Sequence, residues 1–228
     1  MKKPKQLTFP WNKINKSSLE GFYSSEDNTH IVSILKDKAF QEDLFIYGSK
    51  ESGKTYLLQA MCNSYSSDNK SSLYIPLKKA MDYGVEIFES LENIQLICLD
   101  GIENVISIIE WEKAIFNLIN KTLISKSRLI ITSSEDLHSL NFFLPDLESR
   151  LRKIESYELM PIQDKDILDA LKYISKLKSI NLGDKEARYL VTYGQRNISN
   201  LVHILESLDQ LSMEMKRKIT IPLIKEVI

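Results

Sequence analysis

Short apolar runs alternate with helical apolar stripes along the first part of the chain. The short runs predict buried strands at residues 44–47, 73–76, 96–99, 129–132 and 154–159. Between them, apolar residues recur at the spacing of one helix face, which predicts helices over residues 28–37, 55–65, 80–91, 111–124 and 146–151. Alternating strands and helices are typical of parallel strands with helices on both faces, so we expect an α/β fold with a five-stranded parallel sheet.

The pattern changes after Pro161, where only helical spacing remains. Helices are predicted near residues 167–177, from Asp184 onward and near 201–208, and Thr220 is expected to cap a last helix with Pro222 in its first turn. We therefore predict three parts. They are a polar tail over residues 1–20, an α/β nucleotide-binding domain over 21–161 and a small all-helical lid domain over 162–228.

Composition places limits on the class of protein. Apolar residues make up 43% of the chain, which is enough for a core, and 30 basic against 31 acidic side chains leave a net charge of −1. This balance gives no overall attraction to nucleic acid. The chain has two cysteines without metal-ligand spacing, no signal-peptide pattern and no apolar run long enough for a membrane span. A reduced, cytoplasmic location is the expectation.

One motif carries a specific chemistry. Residues 48–55 match the phosphate-binding pattern GxxxxGK[ST], and the match lies between a predicted strand and a predicted helix, as the pattern requires. Loop N–H groups and the helix N-terminus then bind phosphate oxygens, the lysine neutralises their charge, and the threonine hydroxyl binds Mg²⁺. The nucleotide-binding residues predicted here are Gly48, Ser52, Gly53, Lys54, Thr55 and Tyr56.

A phosphate loop also needs a carboxylate for Mg²⁺ and a group that orients the attacking water. Asp100 follows the third strand and is the predicted metal partner of Thr55. Many ATPases have a second acid directly after the metal-binding Asp, but this chain has Gly101 there. Glu103 is the nearest candidate base. Because position 101 lacks an acid, we do not expect efficient ATP hydrolysis by the chain alone. At the end of the fourth strand Thr132 or Ser133 could reach the γ-phosphate, and we assign Ser133 to the site.

Taken together, these features resemble an AAA+ module of the DnaA branch. Residues 144–151 look like the segment that carries the arginine finger in that branch, with Arg150 as the finger. Further pieces resemble the Hda family of DnaA regulatory inactivators, and the match runs from Gln6 to Ile228. They are Phe22-Tyr23 with Asp27-Asn28, residues 98–104, Trp111-Glu112 with residues 114–116, and residues 218–222.

The resemblance implies several site residues and partners. Phe22, Tyr23 and Asn28 are the adenine-pocket candidates, and Arg196 is the candidate for the lid arginine, because the usual position holds Ser199. The tail segment is similar to the motif by which Hda-like proteins bind the β sliding clamp of DNA polymerase III. That segment consists of Gln6, Leu7, Thr8, Phe9 and Pro10.

The function implied by this resemblance is negative regulation of replication initiation. Such a protein holds ADP or ATP with Mg²⁺, reaches DNA indirectly through the clamp, and offers Arg150 in trans to ATP bound by the initiator DnaA. A homodimer is the expected assembly. Because the sequence given stops after the predicted lid, the resemblance implies a protein without the duplex-reading domain of initiators. Two alternatives stay open at this point: an AAA+ ATPase such as a helicase loader, and a DNA-binding replication factor.

Overall fold

The structure is a computed structural model that describes residues 17–91, 93–194 and 197–228. The chain divides into two compact units. Of the described residues, the first unit contains 17–19 and 30–160, and the second contains 20–29 and 161–228. Within the second unit, residues 20–29 are tied to the helices: the Tyr173 hydroxyl donates to the Glu20 carbonyl over 2.7 Å, and Gln163 donates to Asp27 over 3.2 Å. Residues 21–29 therefore pack with the helical unit, whereas the sequence pattern placed them in the α/β domain.

A parallel sheet with helices forms the first unit. Its strands are β1 (Leu44–Tyr47), β2 (Ser72–Pro76), β3 (Leu96–Asp100), β4 (Arg128–Ser133) and β5 (Glu155–Glu158), in the order β2-β3-β4-β1-β5. Its helices are α1 (Thr29–Lys36, which starts at the unit boundary), α2 (Lys54–Ser67), α3 (Leu77–Ala80), α4 (Ile109–Ser125) and α5 (Pro145–Leu151). The α/β prediction with five parallel strands is confirmed.

Burial explains why these short runs become strands. Central strands β1, β3 and β4 are covered on both faces. Exposures of 0% are found for Phe45, Leu99 and Ile131 on one face and for Leu44, Cys98 and Ile130 on the other. The parallel register pairs Tyr47 with Ser133 and Pro76 with Asp100. The carboxyl ends of neighbouring strands therefore meet at one edge of the sheet, where ligand sites of α/β folds form.

One predicted helix is absent. The segment 80–91 was expected to be helical, but the structure has the short α3 before it and a 3-10 helix at Val85–Phe88. Gly84 separates the two with φ of 82°, a left-handed conformation that interrupts a right-handed helix. Ile87 and Phe88 still reach the core, and the Phe88 ring meets the Trp111 ring edge-on at 5.7 Å. Of the apolar residues spaced for one helix face, Phe88 is buried, Val85 and Leu91 are half-buried against the core, and Met81 is exposed at 38%.

The second unit is helical in its C-terminal part. It contains α6 (Ile167–Leu177), α7 (Asp184–Tyr193), α8 (Ile198–Met215) and α9 (Ile221–Val227). Leucines and isoleucines from all four helices share one core, including Leu171, Leu190, Leu205 and Ile224. Thr220 occupies the N-cap position of α9, but its side chain makes no capping hydrogen bond, in contrast to Asn197, which accepts from Ser199 and Asn200 at the start of α8.

Candidate nucleotide-binding site

The predicted phosphate loop joins β1 to α2 at the carboxyl edge of the sheet. The Gly48 N–H donates to the Ser133 carbonyl over 3.2 Å, and the Leu159 N–H donates to the Tyr47 carbonyl over 2.7 Å. A Cβ at position 48 would overlap the Leu159 carbonyl oxygen. The first glycine of the motif is therefore required by the backbone that follows β5, in addition to any bound phosphate.

The Lys54 ammonium lies inside the loop. It donates to the carbonyls of Gly48 and Ser49 over 2.7 and 2.8 Å, and to the Ser52 hydroxyl over 3.4 Å. Partial burial lowers the pKa of Lys54, while the carboxylates of Glu103 and Asp100 act in the opposite direction. A partly desolvated ammonium with only neutral direct partners is suited to anionic phosphate oxygens.

Asp100 is the centre of a hydroxyl cluster. Its Oδ2 accepts from Thr55 and from Tyr74, each over 2.7 Å, and its Oδ1 accepts from Thr132 over 2.7 Å. The Gly101 N–H donates to the Thr132 hydroxyl over 3.1 Å. The structure thus brings together the two predicted metal residues, Thr55 and Asp100, and the surrounding donors fix the carboxylate in one orientation.

These residues fit a nucleotide with Mg²⁺. Oxygen ligands on a carboxylate and a threonine hydroxyl are those that Mg²⁺ prefers, and the ion, when bound, would neutralise phosphate charge. Thr55 and Asp100 would hold it, and Lys54 would bind the phosphates. Within the described residues no separate group of three or more His, Cys, Asp or Glu side chains could hold a metal.

Glu103 faces this same site. It lies on the 3-10 helix Ile102–Asn104, directly after β3 and the left-handed Gly101. Its Oε2 is buried and makes no hydrogen bond to the described residues, and its charge acts on Lys54. A buried carboxylate oxygen without a donor is unfavourable by itself, so its position favours a role toward a bound group.

The remaining predicted loop residues have local roles. Ser133 uses its carbonyl for Gly48 and its hydroxyl as acceptor for the Glu135 N–H at 3.0 Å, so Thr132, and not Ser133, sends its hydroxyl to Asp100. Ser52 is buried at 5% exposure. The Tyr56 hydroxyl accepts from the Ser18 N–H at 3.4 Å, which attaches the segment before α1 to α2.

Tyr74 was missed by the sequence. It lies on β2, where the predicted strand gave no reason to look for chemistry, yet its hydroxyl reaches Asp100 on the neighbouring strand. Burial raises the pKa of Tyr74, and the negative charge of Asp100 raises it further, so the phenol keeps its proton and acts as a donor. The sequence could have indicated this role, because Tyr74 lies on the strand predicted just before the one that ends at Asp100.

The predicted arginine finger lies on α5. The half-buried Arg150 side chain makes no hydrogen bond or ion pair with the described residues. Arg152, two residues on, is held by Glu148 at 2.6 Å and contacts the His138 Nδ1 at 2.9 Å. Of these two arginines, Arg152 has side-chain partners and Arg150 has none within the part of the chain that the structure describes.

The predicted adenine-pocket residues belong to the second unit. The Tyr23 ring meets the Tyr173 ring edge-on at 5.9 Å, and burial followed by the charges of Asp166 and Asp169 raises the pKa of Tyr23. Asn28 is buried at 3% exposure, and Phe22 is half-buried. Their role toward adenine stays a prediction. The clamp-binding segment, residues 6–10, and Arg196 lie outside the described residues.

Comparison with known proteins gives the family. A family model described as an AAA domain matches residues 41–168, and a model described as the Hda lid domain matches residues 164–228. A protein of Haemophilus influenzae strain Rd, itself described only as uncharacterized, is 34% identical over 227 residues, a match that covers 98% of each chain. The chain belongs to the AAA family.

The fold of this AAA protein is similar to solved structures of DnaA. Domain III of the Thermotoga maritima replication initiation protein DnaA superposes with a TM-score of 0.72 at 19% identity, over 93% of this chain and 97% of that one. DnaA from Aquifex aeolicus, solved with AMPPCP, gives 0.69 at 20% identity, over 87% of this chain and 67% of that one. The fold is therefore that of a DnaA-like AAA+ module. No helix among the described residues has the length and apolar content to cross a membrane.

Proposed function

We propose that this protein is a negative regulator of replication initiation that stimulates hydrolysis of ATP bound to DnaA. In this proposal its own phosphate loop holds ADP or ATP with Mg²⁺, and that nucleotide serves to keep the module in its active conformation. Arg150 enters the ATP site of DnaA in trans. Two findings support the choice of class, namely the match of residues 164–228 to the Hda lid domain and the DnaA-like fold.

The observation that carries the proposal is that the Arg150 guanidinium makes no hydrogen bond or ion pair within the part of the chain that the structure describes. An arginine finger must leave its own module and place its charge against the phosphates of a neighbour, so it cannot be engaged in an internal ion pair. Arg152, the residue directly after α5, is engaged with Glu148, whereas Arg150 has no ion pair within the described residues. The resemblance of residues 144–151 to the finger-bearing segment of the DnaA branch selects the same residue.

Arg150 would act by charge stabilisation. In the transition state of phosphoryl transfer, negative charge spreads over the oxygens of the transferred group, and a cation placed there lowers the barrier. In other systems an arginine supplied in trans accelerates hydrolysis by about 10³-fold or more. The products, DnaA–ADP and phosphate, leave the initiator in the form that does not start a new round.

Clamp attachment completes the proposal. Residues 6–10 combine a glutamine with leucine, phenylalanine and proline in a polar tail, a composition suited to a preformed hydrophobic pocket. Binding of this segment to the β sliding clamp would confine the protein to replicated DNA, which explains how a chain with a net charge of −1 reaches DNA. Cytoplasmic location follows from these partners.

The test compares Arg150, in the last turn of α5, with Arg152, the residue directly after that helix. DnaA is loaded with labelled ATP, and single-turnover hydrolysis is followed with wild type, Arg150→Ala and Arg152→Ala, in the presence of clamp on DNA. We expect Arg150→Ala to lose the stimulation, by about 10³-fold, and Arg152→Ala to keep most of it. Both variants should bind ADP as the wild type does. Stimulation that survives Arg150→Ala would refute the role of this residue.

A second function is favoured by one observation: the buried Oε2 of Glu103, whose charge acts on Lys54, has no hydrogen-bond partner among the described residues. With this carboxylate as general base, the chain would be an ATPase in its own right, such as a helicase loader. Steady ATP turnover by the purified chain alone, lost in Glu103→Gln, would support this reading. A DNA-binding replication factor has no comparable observation in its favour.

A further inference from the structure

A buried carboxylate connects two segments of the first unit. Glu112, in the first turn of α4, has an exposure of 0%. Its Oε1 accepts from the Ser107 N–H at 2.8 Å and from the Phe143 N–H at 3.1 Å, and its Oε2 accepts from the Leu144 N–H at 2.6 Å. Three backbone donors thus satisfy one side chain, an arrangement that holds a charge in the interior without a cation.

The donors come from two separate segments, one that leads into α4 and one that leads into α5. Ser107 lies just before α4 and adopts φ of 69°, while Phe143 and Leu144 lead directly into α5. The Ser107 hydroxyl also donates to the Asn141 carbonyl over 2.8 Å. The entry to α5 is therefore tied to the entry to α4 by three hydrogen bonds, two of which end on Glu112, while the Ser107 N–H bond holds Glu112 from its own side.

This entry sets the direction of α5. Leu144 is the N-cap residue of the helix, and its carbonyl accepts from the Leu147 N–H at 3.0 Å. Leu147 and Leu151, both at 0% exposure, anchor the inner face of the helix in the core. A helix this short has few other restraints on its axis, so the position of its first residue decides where Arg150, in its last turn, is presented.

We propose that Glu112 is a positioning residue for Arg150: its carboxylate fixes the start of α5 and thereby the place of the Arg150 guanidinium. The inference rests on the proposed function for its catalytic consequence. The attachment of α5 by Glu112 does not rest on the proposed function, because it can be measured on this chain alone. A displacement of about 1 Å in a catalytic group costs on the order of 10²-fold in rate, so a local loosening is sufficient to impair the finger.

The variant Glu112→Gln removes the charge at constant shape and turns an amide NH₂ toward at least one backbone donor. The first readout is hydrogen–deuterium exchange of the isolated wild-type and variant chains. We expect exchange of amides 143–151 to increase by roughly 10-fold, the value of one hydrogen bond to a charged group, and amides 48–58 to stay unchanged. The matched control is Glu110→Gln, an exposed glutamate in the same turn.

The second readout is the stimulated hydrolysis of DnaA-bound ATP. Glu112→Gln should lower the rate at saturation by about 10-fold or more, with the half-saturating concentration and the affinity for ADP unchanged, a split that a general loss of structure would not produce. Should Glu112→Gln fail to fold, Ser107→Ala removes a bond between the same segments and should give a smaller change of the same kind.

Three outcomes decide. Increased exchange at 143–151 together with a lower saturated rate supports the inference. Unchanged exchange in that segment overturns it, and so does an unchanged saturated rate beside increased exchange. A wild-type chain that does not stimulate DnaA would refute the proposed function separately, and unchanged exchange would then still refute the attachment of α5 by Glu112.

Discussion

The hydroxyl cluster around Asp100 makes Tyr74→Phe a sensitive probe of the site. The change removes one of the three donors to the carboxylate, the 2.7 Å bond to Oδ2, without changing the ring. A hydrogen bond to a charged group contributes about 1.5–3 kcal/mol, and because Tyr74 is only half-buried we expect the lower end, about 1.5 kcal/mol, in the free energy of unfolding. Loss of a partner that orients a metal ligand typically weakens metal affinity by roughly 10-fold.

Two assays measure these effects. Urea unfolding is followed by the fluorescence of Trp111, which lies buried in the same unit, in a Trp11→Phe background so that a single indole reports. ADP affinity is then titrated with Mg²⁺ and with EDTA. Tyr74→Phe should weaken binding with Mg²⁺ and leave binding in EDTA unchanged. Tyr193→Phe, an exposed tyrosine of the second unit, is the control. If Tyr74→Phe behaves like Tyr193→Phe in both assays, Asp100 is not oriented by the phenol.

Three further changes have definite expectations. Gly48→Ala places a Cβ against a backbone carbonyl, so it should destabilise the first unit by about 1–3 kcal/mol in urea unfolding even without nucleotide; unchanged unfolding would contradict the close contact. Lys54→Ala should abolish measurable ADP binding by calorimetry while the fold is retained by circular dichroism, and retained affinity would contradict the phosphate role. The triple alanine variant of Gln6, Leu7 and Phe9 should lose retention on immobilised β clamp; if the wild type is also not retained, the clamp proposal is wrong.

Apolar spacing was sufficient to predict the sheet. Strands β1, β3 and β4 are buried on both faces, and a strand buried on both faces needs apolar residues at successive positions. A continuous apolar run therefore predicts such a strand. The strand–loop–helix context of residues 48–55 and the acid at the end of β3, Asp100, were predictable as one site, because parallel strands bring their carboxyl ends to one edge. The helix predicted at 80–91 was wrong because Gly84 adopts a left-handed conformation, which the spacing of apolar residues does not reveal.

The finer features of the site depend on side-chain direction and on distant contacts. Thr132 and Ser133 are adjacent in sequence, and only the structure shows that Thr132 is the one directed to Asp100. Tyr74 depends on the register between β2 and β3. Glu112 accepts from residues 31 and 32 positions away, so a pattern read along the helix gives no indication of its role.

The position of the hydrolysed ATP tests the central claim most directly. Labelled ATP is loaded in one experiment on DnaA and in a second on this chain, each is mixed with its unlabelled partner and clamp-loaded DNA, and single-turnover release of phosphate is followed. The account predicts rapid release only when the label is on DnaA, with an acceleration of about 10³-fold or more over DnaA alone. Rapid release only when the label is on this chain would contradict it, and would identify the protein as an ATPase that uses its own Glu103.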